Sequence, residues 1–350
     1  MKTRLKALLL ALSILIGVLP LSSCGGKEKF TEYSFDYFDT VTTVIGYGTT
    51  RDEFDEVCSE VFSTLSEYHK LFDIYTRYEG YENLCTVNQL VNGAHREVRV
   101  DGKIIDLLLF CKQIYELTDG QTNVAMGSVL SIWHQYREAG EKNVLSATLP
   151  PEELLAEAAK HTDISSVVID EQSSTVYISD PDALLDVGAV AKGYAVEMVA
   201  RELEARGVKG FLINCGGNVR AVGEKPDGSL WTVGVNNPIE GSTAENLGVL
   251  SLKNQCLVSS GSYQRFYIVN GKSYHHIIDR ETLMPAEGFL QVSVVAEDSG
   301  LADGLSTALF CMSRERGEEL IAGLAGVEAL WVLESGEIIK SQGFDSYISQ

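Results

Sequence analysis

The sequence predicts an α+β fold whose C-terminal half is rich in strands, in a chain long enough for one large domain or two ordinary ones. Helical and strand patterns are interspersed without the strict strand–helix alternation of a doubly wound sheet. The 350-residue chain is 45% hydrophobic with only 7 Pro, so a sizeable core can form and wholesale disorder is excluded. Neither an internal repeat nor a low-complexity linker divides it.

Taken in order, the chain opens on a targeting pattern. Lys2, Arg4 and Lys6 precede an apolar run over residues 7–21, too short for a comfortable membrane-spanning helix of about 20 residues. Leu21-Ser22-Ser23-Cys24, followed by Gly25-Gly26, is similar to a bacterial lipoprotein signal. On that reading residues 1–23 are removed, Cys24 is lipidated, residues 24–32 form a tether and residues 33–350 the domain. The alternative is an ordinary secretory signal with an incidental Cys. Either places the folded part outside the cytoplasm, and the first anchors it on the outer face of the cell membrane.

Phe54, Val57, Val61, Leu65, Tyr68 and Leu71/Phe72 recur every three or four residues and predict an amphipathic helix over 52–72. A second helix covers 104–117 and stops at Thr118-Asp119-Gly120. Pro150-Pro151 opens a third through residue 160, with Glu152 and Glu153 suited to its first turn. Residues 166–170 and 175–179 read as strands around a polar turn. Residues 189–206 are helical, ending at Gly207, and 210–214 form a short buried strand. Strands follow at 231–235, 249–252, 256–259, 266–269 and 291–296, then helices at 301–312 and 316–325 and a strand pair within 329–340.

Lys plus Arg number 28 against 49 Asp plus Glu, a formal net charge of −21. That balance repels phosphate backbones and excludes general nucleic-acid binding. It also gives little attraction to anionic lipid, so membrane contact has to come from something covalent or strongly apolar. An anionic substrate would need a metal or helix N-termini to receive it. Cys58, Cys85, Cys111, Cys215, Cys256 and Cys311 form no C-x-x-C pair and read as small buried hydrophobes, with no disulfide framework or zinc site.

Five stretches can carry chemistry, each with a plainer structural reading beside it. Asp186-Val187-Gly188-Ala189-Val190-Ala191-Lys192-Gly193-Tyr194-Ala195 puts a carboxylate and two glycines ahead of a helix with a lysine in its first turn. Free N–H groups there suit a phosphate, or the glycines simply allow close packing. Tyr194 stands where a Walker A loop needs Lys. Asn214-Cys215-Gly216-Gly217-Asn218 lets a backbone approach a ligand or makes a turn. Ser259-Ser260-Gly261-Ser262-Tyr263 leads to His275-His276, adjacent residues that a strand points to opposite faces, so one at most enters a site, as proton acceptor or phosphate contact, or else each is a satisfied structural His. Gln121, Thr122 and Asn123 follow a helix stop. Asp303 and Thr307 sit at i and i+4 on one helical face, suiting a hard cation such as Mg²⁺. The plain alternative makes Asp303 a helix N-cap.

In order, D-x-G-A-x-A-K-G-Y-A, N-x-G-G-N, S-S-G-x-Y, H-H-I-I-D and A-D-x-x-x-T resemble the ApbE family, the FAD:protein FMN transferases, over nearly all of the mature chain from Phe38-Asp39-Thr40 onward. The resemblance implies a compact α+β domain of the ApbE type. It further implies Mg²⁺-dependent transfer of FMN from the substrate FAD to a Thr or Ser hydroxyl, releasing AMP. By matching position, Asp303, Thr307 and the Ala189 carbonyl become metal ligands. Asp186, Lys192, Gln121, Thr122 and Asn123 map onto FAD contacts, and Phe38 and Tyr75 onto the flavin site. His276 falls near the phosphates, where it would activate the acceptor hydroxyl, a role Asp303 would share. The implied acceptor is a membrane or extracellular redox protein with a D/S-G-x-x-T/S segment. This chain departs from the family pattern at Asn123, where Asp is common, at Arg280 in place of Pro, and at Leu283 in place of Gly. Two other readings keep the flavin site: an FAD pyrophosphatase giving FMN and AMP, and a non-catalytic flavin-binding lipoprotein. A third treats the D-G-x-x-T of residues 303–307 as a flavin acceptor itself.

Overall fold

The computed structural model describes residues 27–91 and 97–349; Cys24 and the signal segment lie outside them. An eight-stranded antiparallel sheet runs in the order β1 (Glu28–Tyr37), β2 (Thr40–Gly48), β6 (Phe211–Cys215), β7 (Asn218–Val222), β10 (Cys256–Gly261), β13 (Phe289–Ala296), β14 (Glu328–Leu333), β15 (Ile338–Lys340). On one face lie helices α1 (Arg51–Phe72), α3 (Gly102–Leu117), α6 (Ala191–Ala205), α7 (Ser299–Cys311) and α8 (Arg314–Ala322). The hairpin β8 (Trp231–Asn236) and β9 (Asn246–Leu252) covers the other.

Burial on both faces explains the unbroken apolar runs of the central strands. In β6, Phe211, Ile213 and Cys215 face the helices while Leu212 faces the hairpin; in β13, Val292, Val294 and Ala296 oppose Val295 in the same way. The strands β4 (Val167–Asp170) and β5 (Thr175–Ile178) form a small antiparallel sheet with β3 (Val98–Arg99). A fourth cluster packs α4 (Gly127–Lys142) and α5 (Glu152–Ala158) against the hairpin β11 (Phe266–Val269) and β12 (Lys272–His275).

Helices expected over 52–72, 104–117, 189–206 and 301–312 form within a few residues of those bounds. Thr50 caps α1, its hydroxyl accepting from the Glu53 amide, and α1 buries Phe54, Cys58, Val61, Leu65 and Tyr68 as its spacing predicts. One boundary is corrected. The segment expected as tether to residue 32 is already strand from Glu28, paired Glu28↔Gly48 through Glu32↔Val44. Its charged composition belongs to an exposed edge strand.

The sequence patterns also missed β2, β7, β12, α4 and α2 (Leu84–Val91). The six internal cysteines are all free, five buried and Cys311 half-buried, as expected of small hydrophobes.

Candidate active site

Two segments more than a hundred residues apart are held together by one glycine. A Cβ on Gly193 would overlap the Ser299 carbonyl oxygen and the Asp303 Cβ, so only glycine lets α6 and α7 approach this closely. At that crossing Asp303 Oδ2 accepts from the Gly193 amide at 2.8 Å, and Lys192 Nζ lies 3.8 Å from the same oxygen. Lys192 also donates to the Gly188 carbonyl at 3.3 Å. Gly193→Ala should therefore cost about 1–3 kcal/mol of stability and separate Lys192 from Asp303. Thermal melting and turnover of the variant check this, and a wild-type melting point would refute the packing argument.

Asp303 is not an N-cap. Asp298 caps α7 through the Leu301 amide, and Asp303, one turn further in, is 4% exposed. Burial raises its carboxyl above the ordinary range, against the opposing pull of Lys192 and the Gly193 amide. Among the described residues its Oδ1 has no hydrogen-bond partner. Thr307 is half-buried one turn along, as is Ala189 ahead of α6. A buried carboxylate, a hydroxyl at i+4 and a main-chain carbonyl four residues before Gly193 are the hard oxygen donors that Mg²⁺ takes, so the residues present fit such an ion.

Asp186 Oδ1 accepts from the Gly188 amide at 2.9 Å, closing a tight turn before α6. Burial pushes its carboxyl up, and the Gly188 amide, His134, Arg137 and Arg265 oppose that. It lines a cavity of about 200 Å³ with Tyr75, Ile74, Asn88 and Leu184. Tyr75 is 56% exposed and stacks on His134 at 4.8 Å and 26°, leaving its other face open. Asn88 holds the wall in place, donating to the Leu185 carbonyl and accepting from its amide.

The two histidines divide as strand geometry predicts. His275 ends β12 and is buried, with Nε2 on the Ala286 carbonyl at 2.8 Å and its ring edge-on to Phe310. His276, just past the strand, is half-buried. Its Nδ1 lies 3.3 Å from the Arg265 carbonyl; a carbonyl only accepts, so Nδ1 carries the proton and Nε2 keeps its lone pair. The imidazole is pushed down to about 3, first by burial and then by Arg265, Arg137, Lys192 and His275.

Phe38 forms with Asp39 the two-residue turn between β1 and β2, both left-handed at φ 53° and 50°. The Phe38 amide donates to His69 Nδ1 at 3.2 Å, and its ring meets the His69 edge.

The three predicted residues that follow α3 have different partners. Gln121 is buried with Oε1 unpartnered and lines a separate cavity of about 280 Å³ beside Tyr115, Arg280 and Arg316. Thr122 donates its hydroxyl to the Gly304 carbonyl at 2.7 Å. Asn123 donates to the Thr162 carbonyl and accepts from the Ala125 amide. The last two thus tie this segment to α7 and to the chain before β4. Asn123 suits that pair of bonds because an amide both donates and accepts, which a carboxylate does not.

Asn214-Cys215-Gly216-Gly217-Asn218 is the β6–β7 turn, with φ of 58° and 93° at the glycines. Leu283, standing where the resemblance expects Gly, adopts φ 58°. Its carbonyl accepts from Trp133 Nε1 at 2.9 Å, so the left-handed turn is kept without glycine. Sequence reasoning missed Arg137 and Arg265, whose charges act on both Asp186 and His276. Arg265 lies two residues past the Ser-Ser-Gly-Ser-Tyr stretch; Arg137 carries no signal of its own.

A family model described as the ApbE family matches residues 38–331. The FAD:protein FMN transferase of Treponema pallidum is 29% identical over 347 residues, covering 94% of this chain and 91% of the relative. That of Klebsiella pneumoniae is 29% identical over 283 residues, 77% and 83% of the two chains. The crystal structure of the ApbE protein from Thermotoga maritima resembles this one with a TM-score of 0.79 at 26% identity, over 92% of this chain and 100% of that one. The flavin transferase ApbE from Vibrio cholerae shares the fold, with a TM-score of 0.75 at 20% identity over 92% and 100%.

Proposed function

This chain belongs to the ApbE family and is a flavin transferase, and from that premise we propose that it moves FMN from FAD to a Thr or Ser hydroxyl of an acceptor protein at the site between α6, α7 and His276. The observation that carries the placement is the buried Asp303 carboxylate meeting the Asp186-to-Lys192 turn across the Gly193 contact. A purely binding lipoprotein has no use for a carboxylate buried in that position, since its charge is costly without a function.

The reaction is a phosphoryl transfer. The acceptor oxygen forms a bond to the FMN-side phosphorus, the anhydride bond to the bridging oxygen breaks, and AMP leaves with that oxygen. The hydroxyl proton passes to His276 Nε2, free to receive it because Nδ1–H is held by the Arg265 carbonyl. Tyr75 offers an open aromatic face for a planar ring. Lys192 supplies positive charge beside Asp303. Asp303, Thr307 and the Ala189 carbonyl would hold Mg²⁺, which when bound offsets charge on the diphosphate.

The Leu-Ser-Ser-Cys pattern at residues 21–24 supports a lipid anchor on the extracytoplasmic face of the membrane. No helix among the described residues is long and apolar enough to cross a membrane. A redox protein of the membrane or cell exterior fits that place as acceptor.

The test combines the protein with FAD, Mg²⁺ and a protein bearing a D-G-x-x-T segment. An FMN-sized mass adduct with equal AMP, lost with EDTA, is expected. FMN and AMP without adduct would replace transfer by hydrolysis of FAD. His276→Gln should lower transfer about 10²–10⁴-fold. Because the imidazole stays neutral far below its ordinary range, wild-type kcat/KM should be flat from about pH 5 to 8. An acid limb centred near the ordinary histidine value would remove His276 from the role of base.

A further inference from the structure

Arg265 occupies an unusual place for an exposed arginine in so acidic a chain. Its Nη2 donates to the Asp39 carbonyl at 3.2 Å and reaches the Phe38 carbonyl at 3.5 Å. Its own backbone carbonyl accepts from the His276 amide at 3.1 Å and faces His276 Nδ1. No carboxylate pairs with its guanidinium among the described residues, and Nε and Nη1 carry no hydrogen bond there.

The turn that holds it is strained. Two-residue hairpin turns with both residues left-handed favour Asn-Gly or Asp-Gly, and a bulky residue such as Phe38 there is an outlier that the surroundings must enforce. The consequence is a guanidinium fixed by one nitrogen, with the remaining donors unoccupied, next to the histidine of the reaction. Arg137 donates to Nδ1 of His134 at 2.9 Å, the ring on which Tyr75 stacks. Arg265, Arg137 and Lys192 all act on His276, three cations in a chain of net charge −21.

We propose that Arg265 contacts the diphosphate of the bound dinucleotide through its free Nε and Nη1 donors, with the Phe38–Asp39 turn serving to hold the guanidinium in place beforehand. This rests on the FMN-transfer reading and names the group that recognises the part of FAD being cleaved. A planar guanidinium fork matches two phosphate oxygens, whereas Lys offers only a point charge. Fixing the side chain before binding removes the ordering cost that a mobile arginine would incur. Arg265 is exposed, so its removal leaves no buried cavity.

The test measures binding of FAD, ADP and riboflavin to the full-length chain and to Arg265→Gln and Arg265→Lys by flavin fluorescence, with ADP as competitor. Arg265→Gln should weaken FAD and ADP about 10- to 100-fold and leave riboflavin unchanged, with Arg265→Lys between. Equal losses for riboflavin and FAD would mean that the side chain only braces the turn, and would overturn the proposal. So would unchanged FAD affinity in Arg265→Gln while the wild type binds FAD. A wild type that binds no FAD would instead fail the functional reading, and this inference with it.

Discussion

Asp303→Asn is expected to reduce FMN transfer by about 10²–10³-fold or more while leaving the fold intact. Asparagine keeps the size of the side chain and an oxygen for the Gly193 amide, now held at 2.8 Å. It loses the negative charge that pairs with Lys192 and that a hard cation requires. A carboxylate 4% exposed is costly to bury, so without metal the variant should melt no lower than the wild type. Transfer rate, Mg²⁺ titration and melting temperature together decide the matter. Near-wild-type transfer would remove Asp303 from the site, and a large fall in melting temperature would make its role structural.

Glu197→Ala is expected to cost about 3–5 kcal/mol, a large part of the roughly 5–15 kcal/mol that holds a domain together. Glu197 and Arg220 are each 3% exposed and meet at 3.0 Å. Glu197 also accepts from Arg201 and from the Ser299 amide, each at 3.0 Å. It thus joins α6, β7 and the start of α7, the frame on which Asp303 stands. Its removal leaves the buried Arg220 cation to Glu204 alone, 3.1 Å from Nη2, and takes the shared acceptor from Arg201 and the Ser299 amide, the expensive half of a broken buried pair.

Burial alone would push the Glu197 carboxyl up, but Arg220, the Ser299 amide and Arg201 outweigh it, and it lies below its ordinary 4.5. With a depressed folded value, its contribution is complete above about 4.5 and is lost as pH falls through the lower folded value. Denaturant unfolding should therefore show the difference between wild type and Glu197→Ala narrowing only in acid. A difference below about 1 kcal/mol at neutral pH, the range of an exposed pair, would show that the network contributes little.

How much of this was legible beforehand differs by element. The spacing of α1 and the stop after α3 are local patterns, and both helices formed where expected. The start of β1 reads as tether because polar Lys27-Glu28-Lys29 follows Gly25-Gly26, and its pairing as an edge strand depends on β2, not on a local pattern. α4 begins at Gly127, has no side-chain cap and ends in polar residues, which hid both the helix and Arg137. At the site, Asp186, Lys192, Asp303 and Thr307 were recognisable as motifs. Thr122 and Asn123 were recognisable too, but their side chains bond to backbone of this chain.

The sequence by itself determined the α+β class, the principal helices, the family resemblance and the one-turn spacing of Asp303 and Thr307, all of which are written in contiguous residues or ordered motifs. Only the tertiary structure decided that Asp303 is a buried partner of Gly193 rather than an N-cap, that Gln121 opens on a different cavity from Asp186, and that Arg265 stands beside His276. The reason is physical. Periodicity and capping act over a few residues, whereas the Asp303–Gly193 bond spans 110 positions and exists because one missing Cβ lets two helices approach.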